Sequence, residues 1–322
     1  MIVTARAHPN IALIKYWGNR DDALRLPANA SISINLAGLE TVTSVSFEPG
    51  LPADRIEIDG LPPARAAADR VVRHLDRVRA LSGQRACARV VSRSNFPSGT
   101  GIASSASAFA ALTVAASAAS GLSLTEGELS RLARAGSGSA ARSIPDGFVE
   151  LATGPHDKDA CAYSLAGPGH WDVADCIALV SREAKSVGSS DGHRLATTSP
   201  LQSARVEDAP RRMELCRKAI RERDFPLLAE IVELDCLLMH AVMMTSRPPL
   251  IYWQPATVDI LREIRAWRAD GLPVAFTIDA GPNVHCLCEG GAAEEIASRL
   301  RQLPGVAQVL VCHPGEGASL LP

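Results

Sequence analysis

The chain has no apolar run long enough to span a bilayer, and its first residues carry no signal-peptide pattern. Both absences predict a cytoplasmic protein with no membrane partner. An excess of one charge is missing too. Thirty-three Lys and Arg face 35 Asp and Glu, and the net charge of −2 argues against a nucleic-acid footprint. The basic run Arg211, Arg212, Arg217, Lys218, Arg221 and Arg223 is broken by acids at helical spacing, and reads as a solvated helix face. Metal-ligand spacing is absent among the eight cysteines. Cys286-Leu287-Cys288 alternates as a strand does, so reduced, buried thiols are expected. The histidines form no cluster, and His8 and His285 read as ordinary polar neighbours. Metal ligands stay unassigned. Internal repeats, long linkers and the Gly-Lys-Ser/Thr ending of a P-loop are also lacking.

What is present is a core. Over 322 residues, 47% are hydrophobic and 21% charged, enough for a globular enzyme of two lobes. β-branched text at 32–36, 41–47, 56–58 and 86–91 predicts strands, and 66–81 predicts a helix with Val71, Val72, Leu75 and Val78 on its apolar stripe. The second half reads as a strand at 176–180, a polar loop at 185–192, and helices at 209–223, 225–243 and 257–270. Strands at 274–276 and 284–288, a helix at 292–301 and a strand at 306–311 complete it. The predicted class is α+β, with lobes at 1–174 and 175–322 and a ligand cleft between them.

Three segments carry chemistry. Thr277-Ile278-Asp279-Ala280-Gly281-Pro282-Asn283 ends an apolar strand with one carboxylate and a small, turn-forming run. Taken alone it is a strand-ending turn. With a ligand approaching over Gly281, Asp279 can also serve as a rigidly held general base. Pro97-Ser98-Gly99-Thr100-Gly101-Ile102-Ala103-Ser104-Ser105 leads into an Ala-rich helix whose N-terminus suits phosphate; close packing is the plainer account. Gly136-Ser137-Gly138-Ser139-Ala140-Ala141-Arg142 offers hydroxyls and a planar guanidinium for anionic oxygens, or is merely a surface linker.

The order and length of these motifs resemble one family across nearly the whole chain. Ala7-His8-Pro9-Asn10-Ile11-Ala12-Leu13-Ile14-Lys15-Tyr16-Trp17-Gly18 is similar to the opening of the mevalonate diphosphate decarboxylases, of the GHMP kinase superfamily. Leu26 to Ser33, the Gly101 to Ala106 loop, Ser137 to Arg142, Gly147-Phe148 and Thr277 to Asn283 continue the likeness. The resemblance implies a two-lobed GHMP-kinase-like fold, a homodimer, and ATP with Mg²⁺. It casts Asp279 as the group that deprotonates or orients the 3-hydroxyl of a mevalonate, and Arg142 as the holder of its carboxylate. Tyr16, Trp17, Gly18, Asn19, Arg70, Ser137, Ser139 and Ser190 would contact that small-molecule substrate. Gly99, Gly101, Ser104 and Ser105 would contact ATP.

Two departures bear on the substrate. The family usually reads Lys-Tyr-Trp-Gly-Lys, its last lysine contacting a diphosphate, whereas this chain has Asn19 there. Ile144-Pro145-Asp146-Gly147 replaces an aromatic-Gly-Gly and adds a carboxylate. Both favour mevalonate 5-phosphate over the 5-diphosphate, although Arg20 and Arg70 offer replacement cations. A 3-kinase that stops before decarboxylation, which would lack Asp279, and a non-catalytic binding protein are the other readings.

Overall fold

The computed structural model describes residues 1–96, 104–181 and 188–322, with the side chains of residues 189 and 190 left aside. Gly99 and Gly101 therefore lie outside the described residues. The strands are β1 (Val3–Ala7), β2 (Asn10–Ile14), β3 (Asn19–Asp21), β4 (Leu26–Pro27), β5 (Ser31–Asn35), β6 (Thr41–Glu48), β7 (Arg55–Ile58) and β8 (Cys87–Ser94). They continue as β9 (Phe148–Leu151), β10 (Ala162–Ala166), β11 (Val173–Leu179), β12 (Val274–Thr277), β13 (Val284–Glu289), β14 (Gln308–Cys312) and β15 (Ser319–Leu321). The helices are α1 (Arg65–Ser82), α2 (Ser104–Ala119), α3 (Glu126–Gly136), α4 (Ser189–Leu195), α5 (Gln202–Glu207), α6 (Ala209–Glu222), α7 (Phe225–Thr245), α8 (Pro255–Ala269) and α9 (Ala293–Gln302).

In the first lobe, one sheet runs β15-β1-β6-β8-β7 and a second runs β10-β9-β5-β2. Helix α1 buries Val71, His74, Leu75 and Val78, one stripe at helical spacing, and ends at Gly83 in the left-handed region that a helix C-terminus often needs. Helix α2 is buried nearly all round, as its alanines allow. A Thr125–Glu128 capping box starts α3, so its entry angle is set locally. These helices and the first sheet enclose one core, with Val45, Leu75, Val90 and Phe109 in it.

The second lobe is built on the sheet β12-β13-β11-β14. Alternation along these strands separates two cores. Cys176, Phe276, Cys286 and Cys288 face α8 and α9, whereas Ile177, Leu179 and Leu287 pack with Ile11, Ile34 and Phe148 of the first lobe and with α6 and α7. The lobes thus share a core, which fixes their relative position. All eight cysteines are free thiols.

Two expectations need correction. The stretch 185–192 is not loop throughout, because α4 begins at Ser189. The basic run of α6 is not wholly solvated. Arg212 is fully buried, and its Nε donates to Asp235 Oδ1 at 2.7 Å, because a buried carboxylate needs a partner there. The final segment returns to the first lobe: β15 pairs with β1, and Ala37 N donates to His313 O at 2.8 Å. The division at residue 174/175 therefore stands as a proposal that the last strand crosses.

Candidate active site

A lysine follows directly on the first lobe's β2, and the second lobe's β12 runs toward an aspartate two residues beyond its end. The packing of the two lobes brings them together. Lys15 Nζ lies 2.7 Å from Asp279 Oδ1; the Lys15 side chain is 1% exposed and that of Asp279 25%. Burial pushes the Asp279 carboxyl up, but Lys15, then His285 and Arg142, overcome it, and its pKa lies below the ordinary carboxylate value. It stays ionised at neutral pH.

The lysine is held from behind. Its backbone N donates to Asp235 Oδ2 at 2.6 Å, and its carbonyl accepts from Arg205 at 2.8 Å and Asn29 at 3.0 Å. Gln202 Nε2 donates to the Trp17 carbonyl at 2.9 Å. Gly18 has φ +93°, and a Cβ there would stand 2.5 Å from Gln202 Nε2. That is the physical reason for glycine after Tyr16-Trp17. His193 packs its ring 4.4 Å from that of Tyr16 and 4.7 Å from that of Trp17, while its Nδ1 accepts from Gly18 N at 3.0 Å.

These groups face a cleft of about 650 Å³, a volume suited to small-molecule ligands. Tyr16, Trp17, Arg70, Ser104, Ser105, Ser137, Ser139, Arg142 and Asp279 all line it. Gly18 and Asn19, expected to contact substrate, are not among the lining residues; Asn19 accepts from the Tyr16 hydroxyl and donates to Asp22 Oδ1 at 2.6 Å. Ser190 is on the first turn of α4. Arg20 is exposed and outside the cleft lining, whereas Arg25 and Arg73 line it. Asp146 is also exposed and away from the cleft, accepting from Gly317 N at 2.6 Å. The carboxylate expected beside the substrate is not there.

Arg142 is 3% exposed. One of its terminal nitrogens donates to Ser31 Oγ at 2.7 Å and the other to Asn10 Oδ1 at 3.3 Å, while Nε is buried with no protein acceptor. Burial lowers its pKa to about 10, against the opposing pull of Asp279 and Tyr16. A desolvated guanidinium with a donor to spare suits a planar anion. Beside it, Ser105, Ser137 and Ser139 form a chain of hydroxyls 3.1 and 3.4 Å apart. A Cβ at Gly138 would overlap the Tyr16 ring.

Sequence reasoning missed Lys15, Arg25 and His193. The signal for Lys15 was a charge closing the apolar run Ile11 to Ile14, a place where a lysine is costly unless paired. Lys15→Met removes the largest charge that favours the Asp279 carboxylate, so the acid limb of the kcat–pH profile should move upward from its wild-type position. Profiles of the two proteins measured side by side test this; coincident limbs would mean that Lys15 does not hold the ionisation. The sign for stability follows. The pair contributes above the unfolded-state carboxylate pKa, and its contribution is lost as pH falls through the lower folded value.

Two family models match the chain: the diphosphomevalonate decarboxylase-like N-terminal domain over residues 7–162, and the mevalonate 5-diphosphate decarboxylase C-terminal domain over 176–313. The diphosphomevalonate decarboxylase of Homo sapiens is 38% identical over 303 residues, covering 87% of this chain and 75% of that protein. The phosphomevalonate decarboxylase of Haloferax volcanii is 34% identical over 287 residues, covering 88% and 87%. A solved structure described as MDDEF in complex with MVAPP, AMPPCP and magnesium superposes with a TM-score of 0.94 at 35% identity, over 100% of this chain and 99% of that one. The two-lobed, GHMP-kinase-like α+β fold expected from the motifs is thus borne out. The chain belongs to the diphosphomevalonate decarboxylase family and is an ATP-dependent decarboxylase of the mevalonate pathway.

Proposed function

We propose that this enzyme uses ATP and Mg²⁺ to convert mevalonate 5-phosphate into isopentenyl phosphate, ADP, phosphate and CO₂. The observation that carries the chemistry is the ionised Asp279, paired with Lys15 and facing the same cleft as Arg142. The 3-hydroxyl oxygen forms a bond to the γ-phosphorus as the bond to ADP breaks, and its proton leaves toward Asp279. The C3–O bond of the tertiary phosphate then breaks. The electron pair of the C–CO₂ bond forms the new double bond, and CO₂ departs. Asp279 is a weak base because its pKa is low, so its larger contribution is to orient the hydroxyl and to face the cationic character at C3 with a fixed negative charge. A loose phosphoryl-transfer transition state needs little more. Arg142 holds the substrate carboxylate, with Ser137 and Ser139 on neighbouring oxygens. Ser104 and Ser105, at the start of α2, face the nucleotide phosphates.

The cleft's oxygen donors fit a magnesium ion held mainly through phosphates. The Ser104 and Ser105 hydroxyls and the Asp69 and Asp191 carboxylates line it, and no His/Cys/Asp/Glu metal cluster exists among the described residues. The ion would neutralise phosphate charge. The family resemblance also supports a homodimer in the cytoplasm. No helix among the described residues is long and apolar enough to cross a membrane.

The single phosphate is favoured by Asn19, a neutral amide bonded to the Asp22 carboxylate where the family usually has a lysine, and by the likeness to the Haloferax volcanii enzyme. The diphosphate is the second reading. It is the better backed by name, since most of the similar proteins and the solved complex carry it, and the displacement of Asp146 from the cleft removes one objection to it. Competing the two substrates in one assay measures the ratio of kcat/KM directly. Wild-type preference for the diphosphate would replace the first reading with the second. In either case Asn19→Lys should move the ratio toward the diphosphate by about ten-fold to a hundred-fold, the worth of one charge-assisted contact.

A further inference from the structure

We propose that Arg25 grips the 5-phosphoryl tail of the substrate and is a specificity-determining residue of this enzyme, an assignment that rests on the decarboxylase reading above. Arg25 sits between β3 and β4, and its side chain lines the cleft. Its backbone has φ +50°, the left-handed region that it shares with Asp59 and Arg223, so a tight turn sets the direction in which the chain presents Arg25. The same turn is joined to the tail end of the site, because the Tyr16 hydroxyl bonds both Asn19 and, at 3.3 Å, the Arg25 carbonyl. Arg25 therefore occupies the neighbourhood left without a cation when asparagine stands at position 19.

Charge around it points the same way. Arg70, Arg73 and Arg194 line the same cleft, with Asp69 and Asp191 as the nearby lining carboxylates. Arg70 lies 4.9 Å over the Phe109 ring and donates to Gly136 O at 3.4 Å. Burial, with Arg77 and Arg194, lowers the Arg25 pKa, against the opposing pull of Tyr16 and Asp22. Arg73 and Arg194 are exposed, and Arg194 pairs with Asp191 at 3.3 Å, whereas Arg25 and Arg70 are half-buried, where a guanidinium costs free energy that a bound phosphate offsets.

The test is steady-state kinetics of the full chain and its Arg25→Gln and Arg25→Lys variants, with mevalonate, mevalonate 5-phosphate and mevalonate 5-diphosphate. Arg25→Gln should raise KM for the phosphorylated substrates about ten-fold to a hundred-fold, with kcat and the KM for ATP within about two-fold. Discrimination against unphosphorylated mevalonate should fall by the same factor. Arg25→Lys should retain part of the effect, and adding Asn19→Lys to Arg25→Gln should restore part of it; a merely structural arginine would show neither. An unchanged KM for the phosphorylated substrates, or a loss confined to ATP, would overturn the assignment. A wild type that releases no CO₂ from either phosphorylated substrate would overturn the decarboxylase reading as well, so the two failures are distinguishable.

Discussion

Asp279→Asn should lower kcat by about three orders of magnitude or more while the mevalonate substrate still binds. The amide keeps the size and most of the hydrogen bonding of the carboxylate. What it loses is the negative charge that the proposed mechanism sets beside C3, present in the ground state and most valuable when C3 becomes cationic. Binding should survive because the proposed roles give Arg142 and the serines other parts of the ligand. The exchange also leaves the Lys15 ammonium, 1% exposed, without its ionic partner, so a stability loss of roughly 1–3 kcal/mol should accompany it. Single-turnover assays of ADP and CO₂ release, run below the melting transition, separate the two effects. Turnover near wild type would remove Asp279 from the reaction.

Arg142→Lys should be nearly as damaging, with kcat down about a hundred-fold or more even though the charge is kept. The guanidinium has two terminal nitrogens committed to Ser31 and Asn10 and a buried Nε left over, so it is braced by the protein while it lines the cleft. An ammonium on a flexible stem cannot do both. The carboxylate would then sample orientations in which the breaking C–C bond is not aligned with the departing phosphate. If instead the change appeared only in KM for ATP, Arg142 would belong to the nucleotide and the carboxylate assignment would fail.

Local patterns were legible wherever one segment carries its own reason. The apolar stripe of α1, the alanines of α2 and the end of β12 just before Asp279 follow from periodicity and turn chemistry. So does the gathering of small residues before Arg142. All of these are properties of neighbours in sequence, and tertiary packing left them intact. The helix hidden in 188–195 was not legible, because its Gly/Ser text favours a loop until Trp17 and Leu250 pack over Gly192.

What only the tertiary structure decided is which charges meet. Lys15 and Asp279 are 264 residues apart, and no local rule pairs them. Their contact depends on the shared core that seats β2 against β12. Arg212 looked like part of a solvated face because its neighbours are charged, yet its own spoke of the helix turns inward to Asp235. Position 146 shows the converse. A carboxylate four residues after Arg142 is close in sequence, but the turn at Gly147, with φ +72°, carries it away from the cleft. By itself the sequence determined the elements and the chemical types available at their ends. The register and packing of distant strands decided which of those groups share a low-dielectric cleft, because side-chain direction and burial depend on contacts that no single segment contains.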